Sequence, residues 1–143
     1  MFVQTNKKGF TLIELLVVVS IIGVLVAFGA ARYQTSEKQA RDTKRKSDLA
    51  QYRIALENYA TANNSLYPSG DGTIDTLCTN LGNFIAGCLH DPRNPPDYLY
   101  FVSTDQTQWV LGAPLEMGGY WEICANGKSG KVTSAPTDSA CDL

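Results

Sequence analysis

Apolar residues run almost unbroken from Phe10 to Ala31, and no other stretch of the chain matches this one. Only Thr11, Glu14 and Ser20 within it are neither apolar nor glycine. As a helix, a segment of this length spans about 33 Å, the thickness of a bilayer's hydrocarbon core. Lys7 and Lys8 stand just before it and hold the N-terminus on the cytoplasmic side, so residues beyond Tyr33 fall outside.

The pattern then changes from uniform to periodic. No Pro or Gly interrupts Ala30–Leu66, so the helix is expected to continue to about Ala62, roughly 80 Å from Phe10. Leu49, Tyr52, Leu56 and Tyr59 recur at steps of three and four, widened by Ala55 and Ala62 into one apolar stripe. Glu37 with Arg41 and Asp42 with Lys46 have the spacing of favourable pairs one turn apart. Asn63-Asn64-Ser65 is the expected stop.

From Leu66 to Asp97 the chain is punctuated by Gly and Pro and reads as an irregular connection, with a helical turn or two between Asp75 and Ile85. Short aromatic and β-branched runs follow: YLYFVST, QWVLGAPLE, GYWEICA and KVTS. They predict an antiparallel meander of three main strands and a fourth, marginal one. Tyr98, Tyr100, Trp109, Val110, Tyr120, Trp121 and Ile123 are its core candidates. The fold class is α+β: a long N-terminal helix laid on a small antiparallel sheet of three to four strands.

Cysteines 78, 88, 124 and 141 all lie beyond the apolar run, where an oxidising compartment would pair them. Four cysteines allow three pairings. Cys78–Cys88 and Cys124–Cys141 are preferred because each closes a short loop, worth about 3 kcal/mol in a chain-entropy picture. No two have the C-x-x-C spacing of a zinc site, and one histidine, His90, is present.

Charge and chemistry narrow the function. A net charge of −2 gives no global basic field for nucleic acid. Lys44-Arg45-Lys46 reads as a solvated helix face balanced by Asp42 and Asp48; contact with an anionic lipid, a nucleic acid or an acidic patch on a neighbour is the alternative. Asp71, Asp75, Asp91 and Asp97 lack the spacing of a calcium loop and read as solvated turn carboxylates. No nucleophile elbow, phosphate loop or metalloprotease motif occurs, and His90 reads as a loop residue. The chain is therefore not expected to be an enzyme, and no metal or cofactor is expected.

Glu14 remains to be explained. A carboxylate in hydrocarbon costs a few kcal/mol and marks a function or a partner. A secretory signal with small residues at Ala27-Phe28-Gly29 has a shorter apolar region and no carboxylate within it, and a simple anchor with Glu14 reaching the interface tolerates the residue without using it. A helix that leaves lipid to pack against copies of itself gives it a use. Cleavage between Gly9 and Phe10 would create an α-amine four residues before Glu14, about 6 Å along the helix axis. A neighbour shifted by that distance would set its amine against Glu14. Such a pair fixes register more than it stabilises.

The stretch Lys8-Gly9-Phe10-Thr11-Leu12-Ile13-Glu14-Leu15 resembles the class III leader of type IV pilins and type II secretion pseudopilins. The resemblance covers Lys8–Val26 specifically, and Gly23 falls where such helices commonly carry glycine. It implies that residues 1–9 are a leader, that prepilin peptidase cuts after Gly9 and methylates the new Phe10 terminus, and that Glu14 guides entry into a filament. It implies a pilin-like fold, with 10–33 as the membrane and filament-core half of the helix, 34–62 as its amphipathic half, 63–97 as a disulfide-bearing connection, and 98–143 as the sheet and a disulfide-bounded C-terminal loop. Ala31 stands where many pilins have a kinking proline, and Gly29 nearby is the one softening residue.

The expected function is a structural subunit of a type IV pilus. Its partners would be copies of itself, prepilin peptidase, the inner-membrane assembly platform with its ATPase, and the membrane before assembly. It would be a single-pass inner-membrane protein and then a surface filament. Asn63-Asn64-Ser65-Leu66-Tyr67-Pro68 resembles the helix end of major pseudopilins, which makes a secretion pseudopilus the alternative. A monomeric, membrane-anchored extracellular binding domain is the alternative of another kind. Loss of Lys7 and Lys8 with the leader leaves ten basic and fourteen acidic side chains, a charge of −4. DNA binding would then need a local cationic stripe such as Lys44–Lys46 and would be sensitive to salt.

Overall fold

A computed structural model describes residues 9–93 and 95–143, and the leader lysines lie outside the described residues. The chain forms two compact units, Met1–Glu37 and Lys38–Leu143. Helix α1, Leu12–Ala62, runs through the boundary between them. In the first unit it is long and apolar enough to cross a membrane, and its large apolar side chains from Leu12 to Phe28 are exposed.

In the second unit the periodic stripe does what its spacing predicts. Leu49, Tyr52, Ala55 and Leu56 are buried, and Tyr59 packs partly against them. Ala62, at the helix end, is exposed, whereas Ala60 is buried. Asn64 and Ser65 take positive φ, and the Ser65 N–H reaches back to the Ala60 carbonyl at 2.8 Å. The Asn-Ser pair thus ends the helix by turning left-handed while satisfying a terminal carbonyl.

The sheet has five antiparallel strands in chain order: β1 Gly72–Thr73, β2 Leu99–Val102, β3 Trp109–Pro114, β4 Tyr120–Cys124 and β5 Ser129–Val132. This exceeds the three or four expected. The extra strand, β1, is a two-residue pairing of Gly72 with Tyr100 and Thr73 with Leu99, too short to leave a periodic signal. Helix α2, Ile74–Leu81, and a 3₁₀ turn, Gly82–Phe84, follow it. They occupy the part of the connection where a helical turn or two was expected.

The two sheet faces are covered differently. Trp109, Leu111, Ala113 and Ile123 join Tyr98, Tyr100 and the α1 stripe in one core, with Ile74, Leu77 and Leu81 of α2 closing its side. The opposite face carries Val110, Gly112, Glu122 and Cys124, opposed in register as Val110 to Cys124 and Gly112 to Glu122. Pro136 of the C-terminal segment sits against Gly112, and Leu143 sits against Gly130. With both faces covered, Trp109–Ala113 is buried at every position instead of alternating. Tyr120 and Trp121 are only half-buried, since they lie at the end of β4 nearest its turn.

Candidate functional site

The apolar segment begins with a local hydrogen-bonded device. Gly9 and Phe10 precede α1, and Thr11 stands immediately before its first helical residue. Glu14 Oε2 accepts from the Thr11 N–H at 2.8 Å and from Thr11 Oγ1 at 2.7 Å. The Glu14 N–H points at Thr11 Oγ1, 3.3 Å away. This is a capping box: each side chain serves the other's backbone N–H at a helix start that would leave those donors unsatisfied. A carboxylate in the first turn is also favoured by the helix dipole. Glu14 therefore has a role within its own chain, in addition to any it has toward a neighbour. The sequence signal was present as Thr-x-x-Glu directly before an apolar run. Among the described residues Glu14 forms no ion pair and its Oε1 accepts no hydrogen bond.

The surface beyond the cap is continuous and apolar. Phe10 is 87% exposed and Phe28 75%. No atom lies within 4 Å of a Cβ placed on Gly23 or Gly29. Both glycines leave room for a neighbouring helix to approach closely.

The charged run Lys44-Arg45-Lys46 is not the solvated face expected of it. Arg45 is 3% exposed and lies at the centre of an ion cluster. Its guanidinium donates through Nη2 to Asp91 Oδ1 at 2.9 Å and through Nη1 to Asp42 Oδ1 at 2.7 Å and Glu116 Oε1 at 3.3 Å. Asp42 in turn accepts the backbone N–H groups of Glu116 and Met117, at 2.9 and 3.2 Å. Arg41 forks onto Glu116, and Arg93 reaches it at 3.3 Å. Lys46 leaves its expected partner Asp42 and lies 4.3 Å over the Trp121 ring. Lys44 bonds Asp48 at 2.7 Å, and Asp48 also accepts from the buried Tyr98 hydroxyl at 2.7 Å. These bonds commit the run's cations to the protein itself and weaken any reading of it as a nucleic-acid stripe.

The cluster sets its own proton affinities. The Arg41 guanidinium holds the Glu116 carboxyl down to about 2, with Arg45 adding to the effect and burial opposing it. Bonding to Asp91 raises the Arg45 guanidinium further, against the effect of burial. Burial pushes the Tyr52 hydroxyl up to about 12, while its bond with Leu89 opposes the shift.

Of the four aspartates weighed as calcium ligands, two have partners of their own and two flank one histidine ring. Asp91 is taken by Arg45, and Asp71 caps the Val102 N–H at 2.7 Å. Asp97 Oδ2 lies 2.7 Å from His90 Nδ1, and Asp75 Oδ1 is 3.8 Å from Nε2 of the same ring. The bond to Asp97 raises the proton affinity of His90. This pairing holds the loop before β2.

Two disulfides are formed. Cys78–Cys88 ties α2 to the following loop, and Cys124–Cys141 ties the C-terminal segment to β4. Beside the second lies Glu122, fully buried. Its carboxylate and the two sulfurs lie within 4.8 Å of one another, the sulfurs being committed to their bond.

Residues 4–30 match the model of the prokaryotic N-terminal methylation motif. The chain is 31% identical to the type II secretion system core protein G of Vibrio cholerae serotype O1, over 80% of its own length and 86% of that protein. It is 26% identical to the protein of the same description from Klebsiella michiganensis, over 90% of the chain and 81% of the relative. A type IV major fimbrial protein FimA of Dichelobacter nodosus is 36% identical over 59% of the chain and 53% of its own length. No solved structure matches.

Proposed function

The chain belongs to the type IV pilin and type II secretion pseudopilin family, and from that premise we propose that it is the structural subunit of a surface type IV pilus. One observation carries the reading: a helix segment with a fully exposed apolar surface has a single carboxylate, Glu14, in its first turn. Exposed apolar surface of this extent needs lipid or protein around it. A filament core supplies protein after the membrane has supplied lipid. The family's subunits are structural, and catalysis has no part in the proposal.

In this reading prepilin peptidase cuts between Gly9 and Phe10 and methylates the Phe10 amine. The trimmed subunit waits in the inner membrane with Lys38–Leu143 outside. The assembly platform and its ATPase then draw it into the growing polymer. Glu14 turns its unused Oε1 toward the Phe10 amine of the adjacent copy. A subunit seated out of step would leave two charges unpaired in an apolar core, which is how one ion pair selects register.

The test is Glu14→Leu in cells. Insertion and cleavage should persist, and labelled surface filaments should disappear. Normal filament yield would defeat the reading. Mass spectrometry of the mature N-terminus should find methylated Phe10; a Met1 terminus, or cleavage near Gly29, would remove the pilin assignment.

A second reading is a secretion pseudopilus, favoured by the relatives that align over most of the chain, which are type II secretion core proteins. The disulfide-bounded C-terminal loop supports the pilus instead. Imaging of labelled protein separates them: long surface fibres mean a pilus, and a periplasm-confined product means a pseudopilus.

A further inference from the structure

The disulfide that closes the C-terminal loop sits beside a carboxyl group with no counter-charge among the described residues. Glu122 projects from β4 onto the sheet face covered by that loop and is 0% exposed. Its Oε1 accepts the Asp142 N–H at 3.0 Å, and its Oε2 has no partner among the described residues. The residues opposite it on the neighbouring strands are Gly112 and Gly130. A Cβ on Gly112 would come within 2.6 Å of Pro136, and one on Gly130 within 2.8 Å of Leu143. The C-terminal segment thus fills the two spaces flanking the carboxyl and seals it from water. The nearby lysines are engaged elsewhere: Lys128 Nζ bonds the Leu143 carbonyl oxygen at 2.8 Å, and Lys131 Nζ bonds that of Met117 at 3.2 Å. Asp142 adds negative charge. Burial, and the Asp142 charge with it, raise the proton affinity of Glu122, and the Asp142 N–H opposes them.

A sealed, half-satisfied carboxyl is a poor structural choice, because a neutral or apolar residue would fill the space without the desolvation cost. Its position beside sulfur suggests a use. Glu122 Oε1 lies 3.2 Å from Cys124 Sγ. Residues 122 and 124 are two apart on one strand and share a face, so β4 keeps the two side chains neighbours whether or not the loop is closed. The Asp142 N–H of the closed loop adds the present placement of Oε1.

We infer that Glu122 is the internal proton acceptor for closure of the Cys124–Cys141 bond. The attacking species in disulfide formation is the thiolate, and a free cysteine, with a pKa of about 8.5, is mostly protonated at neutral pH. Ionised Glu122 takes the proton from Cys124 Sγ. The thiolate attacks a sulfur of an external disulfide oxidant, forming a mixed disulfide and releasing one oxidant thiolate. Cys141 loses its proton to water and attacks Cys124 Sγ, which expels the second oxidant thiolate. Two cysteine thiols are oxidised and one oxidant disulfide is reduced. The Cys124 proton stays on Glu122, the Cys141 proton goes to water, and water reprotonates the oxidant's thiolates. The loop then closes over a neutral carboxyl, the form that a site without a cation favours. Glu122 is a positioned base for the chain's own maturation, independent of what the filament does.

The experiment uses the full reduced chain in detergent micelles, oxidised by glutathione disulfide, with both bonds followed by alkylation and mass spectrometry. Glu122→Gln keeps the size and the acceptor for the Asp142 N–H but removes the base. At pH 7 closure of Cys124–Cys141 should slow by about 10-fold, within the ceiling of about 30-fold that follows from a thiol of pKa about 8.5 being about 3% thiolate unaided. Cys78–Cys88, in the same chain, should close at the unaltered rate. The difference should shrink at pH 9, where thiols ionise unaided. An unchanged Cys124–Cys141 rate, equal slowing of both bonds, or a defect as large at pH 9 would overturn the inference. If Glu122→Gln does not fold, the reduced native chain decides. Alkylation of Cys124 should then accelerate at lower pH than alkylation of Cys88, and coincident profiles would overturn it.

Discussion

Arg45 and Asp91 are 46 positions apart in the chain and meet as a buried two-bond fork, Nη2 to Oδ1 at 2.9 Å and Nε to Oδ2 beside it. The pair ties the outer part of α1 to the loop before β2. Removing one member leaves the other charged and sealed from water, which costs about 3–5 kcal/mol. Arg45→Met should lower the stability of the folded unit by that amount in urea melts. Arg45→Lys should recover little, since an ammonium cannot reproduce the planar fork that serves Asp42, Asp91 and Glu116 together. Arg45→Met combined with Asp91→Leu should cost less than the sum of the two single changes.

Two glutamates give the stability profile opposite slopes. Glu116, held down to about 2 from an ordinary 4.5, adds stability that is present above pH 4.5 and is lost as pH falls through 2. Glu122 is shifted upward, so its contribution is complete below 4.5 and is lost as pH rises through its folded value. Urea midpoints measured against pH should therefore peak in mild acid. Glu116→Gln should flatten the acid limb, and Glu122→Gln should flatten the alkaline limb.

Gly112 marks where the C-terminal segment touches the sheet. A Cβ there would lie 2.6 Å from Pro136 Cγ, and a proline ring has little freedom to retreat. Gly112→Ala should push the segment off the sheet face and cost about 1–3 kcal/mol, as overpacking does. Amide exchange should rise at Thr137–Leu143, while the α1 stripe from Leu49 to Leu56 stays protected.

The elements that were legible in the sequence are those whose cause is local. The stripe at Leu49, Tyr52 and Leu56 followed from helical spacing, and the runs around Tyr100, Val110 and Ile123 from residue type and turn signals. β1 was not legible because two residues carry no period. Arg45 looked solvated because two of its three partners stand 46 and 71 positions away, and only the folded chain brings them to it. Glu122 stands at an alternating position of YWEIC and reads as outward; it does face away from the helix, but the C-terminal segment covers that side. At the start of α1 the opposite happened: Thr11-x-x-Glu14 was a local signal, and a long-range explanation of Glu14 obscured it.

That overlap makes Glu14 two residues in one, and a conservative change can separate them. As a cap it needs an oxygen that accepts from Thr11, which glutamine supplies as well as glutamate does. As a register device it needs a negative charge facing a neighbour's amine, which glutamine lacks. Glu14→Gln should therefore leave the helix start intact, with amide protection at Ile13–Leu15 in micelles unchanged. Thr11→Val, which removes the hydroxyl and keeps the charge, should fray that start by about 1 kcal/mol. If the intersubunit charge governs assembly, Glu14→Gln should be processed normally and fail to enter filaments, while Thr11→Val should assemble with modest loss. The reverse pattern, with filaments from Glu14→Gln and none from Thr11→Val, would make the cap the essential feature and leave the ion pair without a role.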